Sequence, residues 1–201
     1  MGRSKPASQP TLVLGALAFE LAGLIPAEST LLRTVVTGTG PAKARAGLER
    51  ALAFAEPERI IALGLCGGLT PGEGIGTLAV PRAVVAEDER DEIACDLLPG
   101  LESRGLLVTV PAPVTTPLAK ASLRETTLAD WVDMESYSWA KMARERGIPF
   151  TVMRVVVDGW DDFLPNFTSP RSWLSAASLP QRSFQARKRL HDEARRILCG
   201  L

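Results

Sequence analysis

Carboxylates occupy several places in this sequence where an apolar strand pattern ends. Glu20 follows the first such pattern, and Asp158 ends the last one. Asp133 and Glu135 stand between a short apolar segment and a helical pattern. Open α/β sheets form their ligand sites where strands end, and a carboxyl group placed there can transfer protons when burial adjusts its pKa. These acids are therefore candidates for acid–base catalysis.

Each acid also has a purely structural interpretation. An acid in the first turn of a helix often interacts with the helix dipole, and the pair Asp158-Gly159 is typical of a turn after a strand. The recurrence of acids at strand ends, together with glycine-rich turns, favours the functional interpretation over capping alone.

Histidine chemistry is poorly supported. The single histidine, His191, lies among charged residues of a C-terminal helical pattern, and we expect it on a solvated helix face. Ser–His and Cys–His triads and most zinc sites require histidine. The three cysteines are scattered, which argues against a disulfide framework and a zinc knuckle. We therefore expect catalysis by carboxylates, without a metal or another cofactor.

The composition is that of one globular domain. The chain has 201 residues with 23 basic and 23 acidic side chains, so its net charge gives no general attraction to nucleic acid or to an anionic membrane. We expect a flexible lead-in over 1–10 and one domain over 11–201. No apolar run is long enough for a membrane span, and no signal peptide is evident. The expected location is cytoplasmic.

Apolar strand patterns alternate with helical ones along the chain. This alternation predicts an α/β fold with three α/β/α layers and a mixed, largely parallel central sheet. Residues 88–104 show little pattern and are predicted as a charged connector. The predicted strands are 11–17, 32–37, 59–65, 77–85, 106–110 and 150–157, and the predicted helices start at Ala18 or cover 42–55, 118–126, 136–146 and 180–199.

Glycine-rich segments follow two of the predicted strands. Gly38 and Gly40 precede a helix that begins near Pro41, while Cys66-Gly67-Gly68 follows the third strand. Neighbouring glycines allow the backbone to approach a ligand closely. Neither segment has the spacing of a dinucleotide-binding or P-loop motif.

Three segments carry a resemblance to a known family. Val132-Asp-Met-Glu-Ser136, Gly147-Ile-Pro-Phe150 and Arg154-Val-Val-Val-Asp158 resemble the nucleoside phosphorylase and nucleosidase superfamily. The resemblance implies that Met134 and Glu135 hold a ribose and that Asp158 faces N7 of a purine. Val157 replaces the serine that is usual in this family.

The resemblance extends to the remaining candidate residues. Gly15-Ala-Leu-Ala-Phe-Glu20 is similar to a nucleosidase segment whose glutamate activates water. By the same resemblance, Gly38 and Gly40 lie beside the ribose, and Cys66, Gly67 and Gly68 lie against base and sugar. Residues 110–116 depart from the family's base-contacting segment, so base recognition is the least supported inference.

The resemblance implies hydrolysis of the N-glycosidic bond of a purine nucleoside, with adenine as the expected base. The family's phosphorylases carry a phosphate-binding arginine in the strand before the glycines, and residues 60–65 contain none. Phosphorolysis that recruits an arginine such as Arg154 remains an alternative. A lipid-linked adenosyl nucleoside would be one substrate, because residues 113–120 resemble hopanoid-associated phosphorylases. Two competing interpretations are a non-catalytic nucleoside-binding protein and an unrelated α/β domain whose acids only cap helices.

Two further expectations concern surfaces. Family members commonly share their pockets between subunits, and Trp131, Tyr137 and Trp139 could supply an aromatic contact, which predicts a homodimer. The C-terminal helical pattern has apolar residues on one side and many basic ones on the others. It predicts a helix docked on the domain, with binding to a membrane surface as the alternative.

Overall fold

The computed structural model describes residues 10–25, 29, 31–164 and 170–200. The strands are β1 (Thr11–Gly15), β2 (Leu32–Val36), β3 (Ile60–Gly68), β4 (Leu78–Ala79), β5 (Pro81–Ala86), β6 (Glu89–Ala94), β7 (Arg104–Thr109), β8 (Trp131–Asp133) and β9 (Phe150–Asp158). The helices are α1 (Ala18–Leu21), α2 (Pro41–Leu52), α3 (Pro117–Thr127), α4 (Ser136–Glu145) and α5 (Pro170–Leu198). The predicted lead-in, apart from residue 10, lies outside the described residues.

The strands form one sheet in the order β2-β1-β3-β8-β7-β5-β6, and β9 joins it by pairing with β3 and β4. Five of the strand pairs are parallel: β1–β2, β1–β3, β3–β9, β5–β7 and β7–β8. The antiparallel pairs are β3–β8, β4–β9 and β5–β6. The predicted mixed, largely parallel sheet is confirmed.

Helices cover the sheet on both faces, because successive side chains of a strand point to opposite sides. In β3, Ile60 and Ala62 join the core beneath α2 and α4. Ile61 and Leu63 belong to the core beneath α1 and α5. A strand buried on both faces needs apolar residues at every position, which explains the unbroken apolar run in β3. The predicted three-layer arrangement is confirmed.

The region 77–104 differs from the prediction. The predicted strand 77–85 is divided into β4, which pairs with β9, and β5, which pairs with β7. The charged connector predicted for 88–104 was wrong, because Glu89–Ala94 forms β6 and pairs antiparallel with β5. An edge strand has one partner and tolerates charged side chains, which removes the apolar signal expected of a buried strand.

The C-terminal helix α5 starts at Pro170, ten residues before the predicted start, and continues through Pro180. Its docked face consists of Ala186, Leu190, Ala194, Ile197 and Leu198. The expectation of a solvated His191 was wrong. This side chain is buried against α1, and its Nε2 lies 2.7 Å from the carbonyl oxygen of Glu20.

The aromatic contact surface proposed for a dimer was also wrong. Trp131, Tyr137 and Trp139 are all buried within the chain. Trp139 donates a hydrogen bond to the Ala44 carbonyl oxygen at 3.1 Å, and the Arg104 guanidinium covers the Trp131 ring at 4.8 Å. A homodimer stays a prediction without this support. Within the described residues, none of the helices combines the length and the apolar character that crossing a membrane requires.

Candidate active site

A cavity opens at the ends of β1, β3, β8 and β9. Its volume is about 210 Å³, more than the roughly 150 Å³ of an engineered apolar cavity that binds benzene, and it is therefore sufficient for a small organic molecule. Four acids contribute to an otherwise mainly apolar wall. The described lining residues are Ala16, Leu17, Glu20, Thr39, Leu65, Cys66, Gly67, Val110, Pro113, Val114, Val132, Asp133, Met134, Glu135, Val157, Asp158 and Leu164.

Glu20 is held firmly in the short helix α1. Its Oε2 accepts hydrogen bonds from the backbone N–H groups of Ala16 (2.8 Å) and Leu17 (2.9 Å). Its Oε1 accepts another from the N–H of Leu65 in β3, at 3.2 Å. The carboxyl group thus caps its own helix and also reaches the cavity, so the structural and functional interpretations of this acid are compatible.

Asp133 ends β8 and its side chain orders the residues that lead into helix α4. Its carboxylate accepts hydrogen bonds from the N–H groups of Glu135 and Ser136 at 3.2–3.3 Å and from the Thr109 hydroxyl at 2.7 Å. These bonds satisfy donors that a helix N-terminus leaves free. Because Asp133 takes the capping role, the neighbouring Glu135 side chain is free to line the cavity.

Glu135 lies in the cavity wall between the turn that contains Gly40 and strand β9. Its Oε1 accepts a hydrogen bond from the N–H of Gly40 at 2.9 Å, and its Oε2 lies 3.9 Å from Nη2 of Arg154. Burial and the nearby Asp133 carboxylate raise the pKa of Glu135 to about 7, while Arg154 opposes the shift. This carboxyl group therefore changes its charge near neutral pH.

Arg154 lies behind the acids and neutralises part of their charge. It is fully buried in β9 and donates hydrogen bonds from Nη2 to Asp133 Oδ2 (2.7 Å) and Ser136 Oγ (2.8 Å). A Cβ atom built on Gly64 would stand 2.0 Å from Arg154 Nη1 and 2.7 Å from Glu20 Oε1. The absence of a side chain at Gly64 therefore makes room for the guanidinium beside Glu20.

Asp158 reaches the cavity through an irregularity in β9. Cys66 pairs with Val156 and Gly67 with Asp158, so Val157 is an extra residue on the β9 side. A bulge of this kind redirects side chains, and both Val157 and Asp158 line the cavity. A Cβ on Gly67 would lie 3.1 Å from Asp158 Oδ2, so glycine gives the acid its space.

Lys120 is a residue of this site that sequence reasoning missed. It is fully buried in α3, and its Nζ donates hydrogen bonds to Oδ2 of Asp158 and to the carbonyl oxygen of Gly159. Burial raises the pKa of Asp158, and the Lys120 charge opposes that shift. Charge balance was the available signal, because several acids inside an apolar pocket require buried cations.

The structure brings together six of the nine predicted site residues. Glu20, Cys66, Gly67, Met134, Glu135 and Asp158 all line the cavity. Gly38, Gly40 and Gly68 do not contribute to its described lining. Thr39 takes the place expected for the first two, although Gly40 still contacts Glu135 through its N–H.

The charges around the cavity limit its chemistry. No lysine or arginine occurs among the described lining residues. The two buried cations, Lys120 and Arg154, already pair with Asp158 and Asp133. The arrangement offers carboxylates for proton transfer and for stabilising positive charge on a ligand, whereas an anionic co-substrate finds no free cation in the described lining.

Comparison of the sequence with models of known protein families identifies the family of this chain. The phosphorylase superfamily matches residues 31–99 and 92–177, a span that includes β2 to β9. The chain belongs to the phosphorylase superfamily. The family resemblance found in the sequence is thereby confirmed, as is the expectation of an enzyme of the phosphorylase and nucleosidase type. At the level of sequence, no curated protein matches the chain.

Solved structures similar to this superfamily member share its fold at low sequence identity. One is the S-adenosylhomocysteine nucleosidase from Streptococcus pyogenes in complex with 5-methylthiotubericidin, with 17% identity, coverage of 98% of this chain and 99% of that one, and a TM-score of 0.78. Another is the 5′-methylthioadenosine/S-adenosylhomocysteine nucleosidase from Neisseria meningitidis in complex with methylthio-immucillin-A. It has 18% identity, the match covers 96% of this chain and 100% of that one, and the TM-score is 0.76. A third is the futalosine hydrolase of Helicobacter pylori, with 16% identity, coverage of 96% of this chain and 98% of that one, and a TM-score of 0.74.

Proposed function

We propose that this protein hydrolyses the N-glycosidic bond of a purine nucleoside, with adenine as the leaving base. The observation that carries the proposal is the cavity itself, in which Glu20, Glu135 and Asp158 share a mainly apolar wall without a described basic residue. The similar solved structures include nucleosidases bound to nucleoside analogues, which supports a nucleoside ligand.

Each acid has a role that its position supports. Cleavage of the glycosidic bond builds positive charge on the sugar and negative charge on the base. Asp158 protonates the base, and burial raises its pKa, which favours the protonated form that a general acid needs. Glu135 binds the ribose hydroxyl groups and stabilises the positive sugar, while Glu20 takes a proton from the attacking water.

Water is the favoured nucleophile because the cavity provides no free cation for phosphate within its described lining. Arg154, the arginine nearest to the acids, donates hydrogen bonds to Asp133, Ser136 and the Leu63 carbonyl oxygen. It would have to leave these partners in order to bind phosphate. Breaking a buried ion pair of this kind costs about 3–5 kcal/mol, which argues against the phosphorolytic alternative.

A panel of purine nucleosides, assayed for release of free base with and without phosphate, tests the proposal. We expect the wild-type rate to be the same in both buffers. Asp158→Asn preserves the shape of the side chain but cannot deliver a proton, so turnover should fall by about a hundredfold or more. Asp88→Asn, in the exposed turn between β5 and β6, is the matched control and should keep the wild-type rate.

Three results would contradict parts of this proposal. Full activity of Asp158→Asn would remove the acid from the mechanism. Strict dependence on phosphate would identify the reaction as phosphorolysis. Binding of nucleosides without release of base from any of them would leave a non-catalytic nucleoside-binding protein.

A further inference from the structure

Lys120 is a fully buried lysine whose ammonium group contacts the candidate acid directly. It lies in the first turns of α3, after Thr116 and Pro117. Its Nζ donates to Oδ2 of Asp158 and to the carbonyl oxygen of Gly159. An ammonium group is retained in an apolar interior only when paired and hydrogen-bonded, and these two oxygens provide the partners of Lys120.

The helix that carries Lys120 is fixed at both ends. The Thr116 hydroxyl accepts a hydrogen bond from the N–H of Ala119 at 3.2 Å, which caps the N-terminus. Leu123 packs against Val108 and Val132 in the core. The backbone ends the helix at Leu128, which has a φ of 58°. Lys120 therefore extends from a rigid support, which defines where its ammonium group lies.

The two oxygens of Asp158 differ in their surroundings. Lys120 contacts Oδ2 alone. Oδ1 receives no hydrogen bond from any described residue, while the side chain as a whole lines the cavity. Lys120 thus holds one oxygen of the carboxyl group, and none of the described residues competes with a ligand for a hydrogen bond to the other.

We propose that Lys120 is the positioning residue of this acid: it holds Oδ2 so that Oδ1 carries the proton toward the leaving base, and its charge stabilises the carboxylate that remains after the transfer. The inference rests on the proposed function. In the step, the Oδ1–H bond breaks and an N–H bond forms on the base. The electrons of the glycosidic bond pass to the base, water adds to the sugar, and Glu20 takes the proton that this water releases.

The charges that face Asp158 determine in which direction its pKa moves when the Lys120 charge is removed. Burial raises the pKa of this carboxyl group and Lys120 lowers it. Removing the lysine charge therefore raises the pKa further, and the protonated, active form persists to higher pH. The other charged or titratable groups around Asp158 are Asp162 in the loop after β9, Arg182 in α5, Cys66 in β3 and Glu73 in the loop between β3 and β4.

The first experiment compares pH profiles of kcat/KM for the wild type and Lys120→Met. An opposite charge at this range lowers the pKa of an acid by about 1–3 units. We expect the alkaline limb of Lys120→Met to move to higher pH by about that amount, while the maximal rate falls by about tenfold or more because the acid is weaker and less well oriented. Lys141→Met, which removes a lysine paired with the exposed Glu89, is the control and should change neither quantity.

A second variant covers the case in which Lys120→Met does not fold, as judged by circular dichroism. Lys120→Gln keeps a hydrogen-bond donor and removes the charge. It should show the same displacement of the alkaline limb with a smaller loss of rate. A uniform loss of rate with an unmoved limb, in whichever of the two variants folds, would show a purely structural lysine and overturn the inference.

A direct measurement of Asp158 separates this inference from the proposed function. The side-chain carbon resonances of ¹³C-labelled aspartate are titrated by NMR, and the Asp158 signal is identified by its absence in Asp158→Asn. We expect its pKa to rise by about 1–3 units when the lysine charge is removed. An unmoved titration overturns the inference even if nucleosides are cleaved. A moved titration without cleavage of any nucleoside supports the control of Asp158 by Lys120 and refutes the proposed hydrolysis.

Discussion

Gly64→Ala adds a single methyl group behind the cavity wall, beside Arg154 and Glu20. The new Cβ would lie 2.0 Å from Nη1 of Arg154 and 2.7 Å from Oε1 of Glu20. Both separations are far below contact distance, so the guanidinium and the carboxylate must move. Arg154 is fully buried and cannot move without disturbing its hydrogen bonds to Asp133 and Ser136.

The loss of stability expected for Gly64→Ala has two sources, the overpacking of the interior and the displacement of the Arg154 charge. Inserting one methyl group into a packed interior costs about 1–3 kcal/mol. The cost approaches about 3–5 kcal/mol if Arg154 separates from Asp133, because a buried charge then lacks its partner. A displacement of about 1 Å in a catalytic group can lower the rate by about a hundredfold, and we expect a loss of this order in base release.

Urea unfolding and the base-release assay measure the two effects. Gly74→Ala is the matched control, because a Cβ at Gly74 meets no atom within 4 Å. We expect it to change the free energy of unfolding by no more than about 0.5 kcal/mol. If Gly64→Ala were as stable and as active as Gly74→Ala, the packing of Arg154 and Glu20 over Gly64 could not be what organises the site.

Two further predictions concern pH. The pKa of Glu135 is raised from an ordinary value of 4.5 to about 7, so the folded protein binds this proton more tightly and loses stability as the pH rises through that window. In urea unfolding, the free energy of unfolding of the wild type should fall relative to that of Glu135→Gln between pH 4.5 and 7. A difference between the two free energies that stays constant over this range would contradict the raised pKa. Burial lowers the pKa of His191, so its contribution to stability should be lost as the pH falls below about 6.5. His191→Gln should weaken that loss, and an unchanged acid sensitivity would show that this histidine is not responsible.

The central strands were predictable because they are buried on both faces. An apolar run such as Ile60–Leu65, or the nearly continuous run Phe150–Val157, which is interrupted by Thr151 and Arg154, has few competing explanations. Strand β6 lacked this signal because it pairs with β5 alone at the edge of the sheet and exposes charged residues. Local patterns identify a strand by its burial, so they miss strands that are only half covered.

The acids of the candidate site were found from the sequence, whereas their partners were not. Glu20, Glu135 and Asp158 stand next to recognisable strand and helix boundaries. His191 lies among charged residues and Lys120 carries no local sign of burial, yet both are buried by contacts with distant segments: Lys120 with Asp158, and His191 with Glu20. Such burial depends on the packing of elements far apart in the chain, which the local pattern of either helix does not record.

Because β9 contains an extra residue, the residue that shapes the cavity wall is not one that sets the pairing register of the strand. Val157 has no partner in the ladder between β3 and β9, yet its side chain lines the cavity. A substitution there alters the shape and polarity of the cavity wall without changing the register that places Asp158. The range of accepted ligands can therefore diverge in evolution at this position while the acid, its lysine and the surrounding sheet stay as they are.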